Sequence, residues 1–463
     1  MPKKTKSAPV DHGPVTSLAQ ARAWAGARGV TEIECLVPDL AGVARGKIMP
    51  SAKFFDDPTM ALPSSIFMQT ISGEYPEETA DFRYDPSDGD IELRPDFSTL
   101  CEVPWARDPT AQVIHDAVFH DGRAVEIAPR QVLKRVIDLY REQGWEPIVA
   151  PELEFYLVKR NIDPDYPLEP PIGRSGRAEA GRRSYSISAV NEFDAVFEDI
   201  YAFAEAQHLE VDTLIHEEGA AQMEINLRHG DPLLLADQVF LLKRTIREAA
   251  LAHDIYATFM AKPIAAEPGS AMHIHQSVIS AGTRENIFTD SKGKPTPEFF
   301  HFLAGQQRYV PAVTCMLAPY VNSYRRLVKS ASAPVNVLWG YDNRTTGLRI
   351  PPSPAAGRRV ENRVPSSDAN PYLAMAASLA CGYLGLTRRL TPSEPVSGIA
   401  RSDEFDLPVG LLEAVGLFEE TEELAEMFGR NFVTTFAAVK RAEFATFMRV
   451  ISPWEREFLL LNV

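Results

Sequence analysis

The stretches Pro151-Glu152-Leu153-Glu154-Phe155 and Ala271-Met272-His273-Ile274-His275-Gln276 carry most of the information about fold and function in this sequence. Alternate side chains of an extended strand point to one face, so the two glutamates, and likewise the two histidines, would enter one cavity. Either pair alone would fit an ordinary solvated strand. Together they predict a site for a metal ion and a phosphate group.

Other acidic residues strengthen this prediction. Glu217 and Glu224 follow one another within eight positions, and Glu361 lies two residues before Arg363. Carboxylates with one or two imidazoles suit hard divalent cations such as Mg²⁺ or Mn²⁺, whereas a structural zinc site would call for cysteine or more histidine. The residue types therefore favour a carboxylate-rich site for Mg²⁺ or Mn²⁺.

Composition limits the kinds of partner. The 463 residues carry a formal net charge of -16, which argues against nucleic acid or an anionic membrane as the main partner. The four cysteines are far apart, so a disulfide framework is not indicated and buried free thiols are expected. No secretory signal is evident, and we expect a cytoplasmic protein.

The chain divides into a short tail and two parts. Residues 1–15 predict a flexible tail. A helix over 16–28, followed by strands over 32–37 and 44–49, begins a small β-rich domain that we extend to residue 110. From residue 111 to 463, strands alternate with long amphipathic helices, which predicts a larger α+β domain on an antiparallel sheet.

Seven segments occur in an order that is typical of one enzyme family. They are Pro63–Ser65, Pro151–Leu157, Glu217–Glu224, Gly269–Gln276, Asn322–Leu327, Asn343–Pro351 and Glu361–Pro371. In these segments, and over nearly its whole length, the chain resembles the glutamine synthetase family, class I type.

The resemblance implies an α+β fold with a β-grasp domain over 16–110 and a catalytic domain over 111–463. It also implies a homo-dodecamer whose sites lie at subunit interfaces. The family activates glutamate with ATP to give γ-glutamyl phosphate, which an amine then attacks. Glutamate, ATP and an amine are therefore the expected substrates, with two or more Mg²⁺ or Mn²⁺ ions at each site.

The resemblance also assigns roles to individual residues. Two metal-ligand sets are implied: Glu154, Glu217 and Glu224 for one ion, and Glu152, His273 and Glu361 for the other. The catalytic arginines are implied to be Arg326, Arg344 and Arg363. Glutamate would be bound by Gly269, Arg326 and Arg363, and ATP by His275, Ser277, Arg344 and Arg349.

The sequence departs from the family at the amine half of the site. The family has an Asp-Gly pair before the Ser-Ser segment, where this chain has Leu62-Pro63, and a flap glutamate where this chain has Ser332. Both carboxylates that serve ammonium are absent, and an unpaired buried cation is costly. Leu62 and Ser332 would leave a partly apolar pocket, in which an alkylamine could bury roughly 0.8 kcal/mol per methylene.

This pattern resembles γ-glutamylpolyamine synthetases and predicts putrescine or a longer polyamine as the amine, with a role in polyamine catabolism. A cluster of Glu74, Glu77, Glu78 and Asp81 could receive a distal ammonium group or could simply be solvated. A monoamine such as ethanolamine or isopropylamine, and ammonium itself, stay open as alternatives. So does an inactive, glutamine-synthetase-like structural or regulatory assembly.

One form of regulation is excluded by the residue type. In family members that are controlled by adenylylation a tyrosine precedes Asp-Leu-Pro, whereas this chain has Phe405 before Asp406-Leu407-Pro408. Without a hydroxyl group at this position, that modification cannot occur there.

Overall fold

The computed structural model describes residues 15–76, 87–329, 333–401 and 404–463, and over these residues it shows an α+β fold with two sheets. Residues 1–14 of the predicted tail lie outside the described part. The strands are β1 (Glu32–Pro38), β2 (Ala44–Pro50), β3 (Met60–Pro63), β4 (Asp90–Pro95), β5 (Cys101–Glu102), β6 (Thr110–Val118), β7 (Trp145–Lys159), β8 (Val211–His216), β9 (Gln222–Leu227), β10 (Ile255–Thr258), β11 (Met272–Ser280), β12 (Trp339–Tyr341), β13 (Leu348–Ile350) and β14 (Val360–Asn362).

The helices lie mainly after the first sheet. They are α1 (Leu18–Arg28), α2 (Ser51–Asp56), α3 (Pro129–Glu142), α4 (Ile187–Val190), α5 (Asp194–Ala206), α6 (Pro232–Ala252), α7 (Pro297–Leu317), α8 (Val321–Tyr324), α9 (Pro371–Arg388), α10 (Leu411–Glu420), α11 (Glu422–Phe428), α12 (Arg430–Phe447) and α13 (Pro453–Leu459).

The first sheet has the order β2-β1-β6-β4-β3, with β5 paired to β6. It begins after α1, whose N-terminus is capped by the Ser17 side chain and whose C-terminus is followed by Gly29 at φ 64°. Apolar residues of β1 such as Ile33 and Cys35 are buried in the core. The order around β1 and β6, which are parallel, is that of a small N-terminal β-domain.

Strand β6 shows where this domain ends. It lies inside the first sheet, parallel to β1 and antiparallel to β4. The division that the sequence places between residues 110 and 111 falls on the first residue of this strand. Because cutting there would remove the central strand of the sheet, we place the boundary after Val118.

The second sheet carries the acidic and imidazole pairs. Its order is β12-β13-β14-β11-β7-β9-β8, with β10 paired to β7, and all pairs except β12 with β13 are antiparallel. Leu153 and Phe155 of β7 point to the buried face, which α3 and α6 cover. The alternation of β7 therefore turns Glu152 and Glu154 to the opposite face.

Helices α7 and α9 form the centre of the helical layer. Asn370 caps α9 by accepting hydrogen bonds from the amides of Tyr372 and Leu373, and Pro371 occupies its first turn. The two helices approach closely at Gly305 and Gly385: a Cβ on Gly305 would lie 2.6 Å from the Gly385 Cα. Glycine is needed there because two backbones occupy the space of a side chain.

Two simpler expectations can be compared with the structure. Cys35, Cys101, Cys315 and Cys381 are all free and buried, as the sequence predicts. Among the helices of the described residues, none combines the length and the apolar character that a membrane crossing requires.

We expect Gly305→Ala to lower the free energy of unfolding by about 1–3 kcal/mol, the usual cost of overpacking a core. The new methyl group would clash with the backbone of α9. Urea unfolding at fixed protein concentration, followed by circular dichroism, would measure the change.

Gly26→Ala is the matched control, because this helical glycine has no atom within 4 Å of a new Cβ. It should stabilise the protein by roughly 0.5–1 kcal/mol. Equal effects of the two substitutions would contradict the proposed contact between α7 and α9.

Candidate active site

The register of three adjacent strands builds the site. In the pairing of β7 with β11, Glu152 lies opposite His273. In the pairing of β7 with β9, Glu152 lies opposite Asn226 and Glu154 lies opposite Glu224. Antiparallel pairing places opposite side chains on the same face of the sheet, so these residues converge.

Glu152 is held between two imidazoles. Its Oε2 lies 3.2 Å from His273 Nδ1, and its Oε1 lies 2.8 Å from His275 Nε2. Burial alone would raise the pKa of Glu152, but the hydrogen bonds with both histidines hold its pKa well below the usual range. Glu152 is therefore ionised at neutral pH.

Arg359 fixes the tautomer of His275. The arginine Nε donates to His275 Nδ1 at 3.0 Å, and because arginine can only donate, Nδ1 must accept. Nε2 then carries the proton and donates to Glu152. Both ring nitrogens of His275 are occupied, which fits a positioning role better than metal binding.

His273 has a different environment. Burial and the nearby Arg363 lower the pKa of His273 to about 4, so the imidazole is neutral at neutral pH. Its Nδ1 faces Glu152, and Nε2 makes no hydrogen bond to any residue that the structure describes. A neutral imidazole with one free nitrogen and one carboxylate-bound nitrogen is the usual form of a metal ligand.

The remaining carboxylates repel one another. Burial, with a contribution from Glu217, raises the pKa of Glu154 to about 8. Burial together with the neighbouring carboxylates also raises the pKa of Glu217 and, more strongly, that of Glu224. Bound cations would lower the pKa of these carboxyl groups and allow all three to ionise.

This cluster fits divalent metal ions. Ligand atoms of Glu152, Glu224 and His273 lie within 4.8 Å of one another. Those of Glu152, His275 and Glu361 are equally close, but both nitrogens of His275 are already hydrogen-bonded. The Oδ1 atom of Asn226 is buried there without a hydrogen-bond partner among the described residues. Carboxylate and amide oxygens with one imidazole are donors that Mg²⁺ and Mn²⁺ accept.

Arginines form the other half of the site. Arg349 and Arg363 donate to the two oxygens of Glu361 at 2.7 and 2.6 Å. Burial opposes ionisation of Glu361, but Arg363 and the two imidazoles lower its pKa to about 2. The Nε atoms of both arginines are buried without a described partner, which suits an anionic group such as phosphate.

Arg326 is fixed by backbone carbonyl groups. It donates to Val364 O and Arg363 O, both at 2.9 Å, and burial lowers its pKa to about 10. A Cβ on Gly269 would lie 2.6 Å from Arg326 Cγ. Glycine at position 269 therefore makes room for the arginine side chain.

Two cavities meet at Glu152 and Asn226. The first, here called the carboxylate cavity, has a volume of about 600 Å³. It is lined by most of the predicted residues: Glu152, Glu154, Glu217, Glu224, Gly269, His273, Arg326, Arg344, Arg349, Glu361 and Arg363. The second, here called the histidine cavity, measures about 480 Å³ and includes His275, Ser277 and Arg359.

The predicted amine residues lie elsewhere. Leu62 lies in β3 of the first sheet and does not line the carboxylate cavity of its own chain. Ser332, Glu77, Glu78 and Asp81 lie outside the described residues. Glu74 is described, but its Oε2 lies 3.1 Å from Thr446 Oγ1, away from the cavity.

Sequence analysis missed three contributors. Asn226 alternates with Glu224 on β9 and therefore shares its strand face. Arg359 lies two positions before Glu361, directly before the start of β14. Gln222 donates to Glu154 Oε2 at 3.3 Å. The period of two residues was the available signal for each.

Comparisons with known proteins find relatives over most of the chain. Residues 126–459 match the model of the glutamine synthetase catalytic domain. The chain is 36% identical to γ-glutamylputrescine synthetase of Escherichia coli strain K12, with 93% of this chain and 92% of the relative covered. It is 31% identical to glutamate–isopropylamine ligase of Pseudomonas sp, with 90% and 92% covered.

The fold also has relatives among solved structures. A GmaS/ADP complex matches with a TM-score of 0.81 and 28% sequence identity, over 95% of this chain and 99% of the other. The overall fold is thus shared with this solved structure.

We expect Mn²⁺ to raise the melting temperature more at pH 8 than at pH 6. Because the pKa of Glu154 is raised to about 8, its proton stabilises the metal-free fold at low pH, and this stabilisation is lost as the pH rises through 8. Metal ions compete with that proton, so their net affinity grows over the same interval. Scanning fluorimetry with and without Mn²⁺ would measure both shifts.

Two variants complete the test. Glu361→Ala should reduce the Mn²⁺-induced shift at both pH values, whereas Glu146→Gln, an ion-paired residue outside the cavity, should leave it unchanged. A shift that is independent of both pH and Glu361 would place the metal elsewhere.

Proposed function

The chain belongs to the glutamine synthetase family of ATP-dependent carbon–nitrogen ligases, and from this premise we propose that it joins the γ-carboxylate of glutamate to putrescine or a longer polyamine. The reaction would pass through γ-glutamyl phosphate. The observation that carries this proposal is that the predicted carboxylates and arginines line one cavity, while the sequence lacks the two carboxylates that serve ammonium in the family.

In the first step, a γ-carboxylate oxygen of glutamate would attack the γ-phosphorus of ATP and release ADP. Arg326 would hold the α-carboxylate of glutamate, and Arg363 would lie near the transferred group. The unpartnered Nε atoms of Arg349 and Arg363 support contacts with phosphate oxygens. Phosphoryl transfer depends mainly on positioning and charge neutralisation, which such arginines supply.

When bound, divalent ions would supply positive charge that neutralises phosphate oxygens. We assign Glu154, Glu217 and Glu224 to one ion, and Glu152, His273 and Glu361 to the other. His275, Ser277, Arg344 and Arg349 would contact ATP. The GmaS/ADP complex supports nucleotide binding by this fold, and we assign the nucleotide to the histidine cavity because His275 and Ser277 line it.

In the second step, an amine would attack the carbonyl carbon of γ-glutamyl phosphate, with phosphate leaving. Leu62 and Ser332 replace the two carboxylates that the family uses for ammonium. Two relatives are named for the amines putrescine and isopropylamine, which supports an alkylamine. A monoamine stays the alternative that the second relative favours.

In an assembly of subunits, Leu62 of one subunit could contact the amine bound by another. Because Leu62 does not line the cavity of its own chain, it can act on the amine only from a neighbouring subunit. Apolar side chains after α12 are widely exposed, including Trp454 at 62% and Leu461 at 91%. Such a surface supports an assembly, and we propose the homo-dodecamer implied by the family resemblance.

The setting of the reaction follows from its substrates. Attachment of glutamate masks one ammonium group of a polyamine, which fits a first step of polyamine catabolism. A cytoplasmic location, where ATP and glutamate are available, is part of this proposal.

Other functions fit the site less well. A true glutamine synthetase would need a replacement carboxylate, and Glu74 contacts Thr446 instead of the cavity of its own chain. A silent structural or regulatory protein would not require the intact ligand and arginine set.

We expect purified protein with ATP, Mg²⁺ and glutamate to release phosphate with putrescine or spermidine and only weakly with ammonium. The double variant Leu62→Asp with Ser332→Glu should improve ammonium use by about tenfold or more, since each new carboxylate pairs with the cation. A coupled phosphate assay, with product masses, would measure both.

Leu412→Asp, at an exposed position of α10, serves as a control for added charge and should not change the amine preference. Turnover with ammonium alone would reject the polyamine assignment. Turnover with isopropylamine but not putrescine would favour the monoamine alternative.

A further inference from the structure

A third cavity is lined by residues of both domains, including Gly42 before β2 and Lys243 of α6. It has a volume of about 390 Å³ and is here called the α6 cavity. Its wall includes Val43, Phe240, Lys243, Arg247, Phe259 and Asp368. It shares no lining residue with the carboxylate cavity, so the metal and arginine site does not account for it.

Two cations on α6 face this cavity. The Arg247 guanidinium carbon lies 4.9 Å from the centre of the Phe259 ring, and the Lys243 ammonium nitrogen lies 5.5 Å from it. Arg247 makes no hydrogen bond or ion pair with a residue that the structure describes. Burial lowers the pKa of both groups, so a nearby anion would be favourable.

One N–H group of the Lys243 ammonium is available to a ligand. Its ammonium group donates to Ser367 O at 2.6 Å and to Ala369 O at 2.8 Å. A lysine ammonium has three N–H groups, which leaves one for a ligand. Lys243 and Arg247 together could thus hold one carboxylate.

Asp368 supplies the opposite charge. Its Oδ2 accepts a hydrogen bond from Ser323 Oγ at 2.8 Å, whereas its buried Oδ1 accepts none of good geometry from a described residue. Burial raises the pKa of Asp368, and Ser323, the Lys243 and Arg326 charges and the Ala261 backbone amide oppose that rise. An unpaired buried acceptor is costly, and a ligand that carries a donor would satisfy it. This acceptor disfavours a purely anionic ligand such as phosphate.

Apolar side chains make up the rest of the wall. Val43, Phe240 and Phe259 line the α6 cavity, and so does Ile71, which is 52% exposed. An apolar side chain bound there would leave water at about 25 cal/mol per Å² of buried surface.

From two unpaired cationic donors, one unpaired carboxylate oxygen and an apolar wall, we propose that the α6 cavity binds an α-amino acid with an apolar side chain. Its carboxylate would bind Lys243 and Arg247, and its ammonium group would bind Asp368. Glutamate is a poor candidate for this cavity, because its second carboxylate would meet the apolar wall.

Helix α8 connects this cavity with the reaction site. Asn322 lines the α6 cavity and also binds the backbone of Lys262, a residue of the carboxylate cavity, at 2.9 and 3.0 Å. Ser323 binds Asp368, and Arg326 follows three residues later. Occupancy of the α6 cavity should therefore change the KM for glutamate, by about fivefold at the low end of allosteric couplings.

Isothermal titration of the full-length protein tests the proposal. The probes are L-leucine, L-isoleucine, L-valine, L-methionine and L-phenylalanine, each with and without saturating glutamate. We expect saturable binding of at least one probe in the presence of glutamate. Removing its ammonium or its carboxylate group, as in 4-methylpentanoate and L-leucinol for leucine, should weaken binding by about tenfold or more.

Variants locate the bound probe. Arg247→Gln and Asp368→Asn should each weaken binding about tenfold, while Arg141→Gln, an exposed arginine of α3, should not. Circular dichroism would confirm that each variant is folded, and Arg247→Gln should keep its turnover in the absence of probe.

Three results would overturn the proposal. One is a lack of binding by all five probes, and a second is binding that glutamate abolishes and Arg247→Gln leaves unchanged. The third is binding of 4-methylpentanoate as tight as that of L-leucine. A bound probe that does not change the KM for glutamate would reject the coupling through α8.

Discussion

The pairing of β7 with β11 and β9 is the constraint on which the site depends. Because Glu152 lies opposite both His273 and Asn226, a shift of either strand by one residue would turn its side chains to the buried face. The buried Leu153 and Phe155 oppose such a shift, since they are packed under the helical layer. Packing on the buried face of the sheet thus fixes the positions of the site residues on the opposite face.

This arrangement concentrates charge that the chain alone does not balance. Burial and mutual repulsion raise the pKa of Glu154, Glu217 and Glu224, while hydrogen bonds from imidazole and arginine keep Glu152 and Glu361 ionised. Unpartnered arginine donors lie at the same face. The site is therefore best completed by cations and by an anionic substrate, which is what phosphoryl transfer from ATP to a carboxylate would bring.

Much of the fold and of the candidate site follows from short-range sequence patterns. The alternation in β7 and β11 predicts the shared face, and α9 begins at Asn370-Pro371, a regular helix-start signal. The domain boundary could not be predicted from short-range patterns, because β6 is held by pairing with β1, 78 residues earlier in the chain. The start of α6 at Asp231-Pro232 is likewise a regular capping signal that is readable from the sequence. The contact of Arg359 with His275 depends on tertiary pairing, as does the absence of Leu62 from the cavity of its own chain.

The most direct test follows one oxygen atom. Glutamate labelled with ¹⁸O in its γ-carboxylate would be incubated with the enzyme, ATP, Mg²⁺ and an accepted amine, and the released phosphate would be analysed by mass spectrometry. If the γ-carboxylate is phosphorylated and the amine displaces phosphate, each phosphate carries one ¹⁸O atom from labelled glutamate. Unlabelled phosphate, formed alongside the γ-glutamylamine, would contradict activation of glutamate at this site.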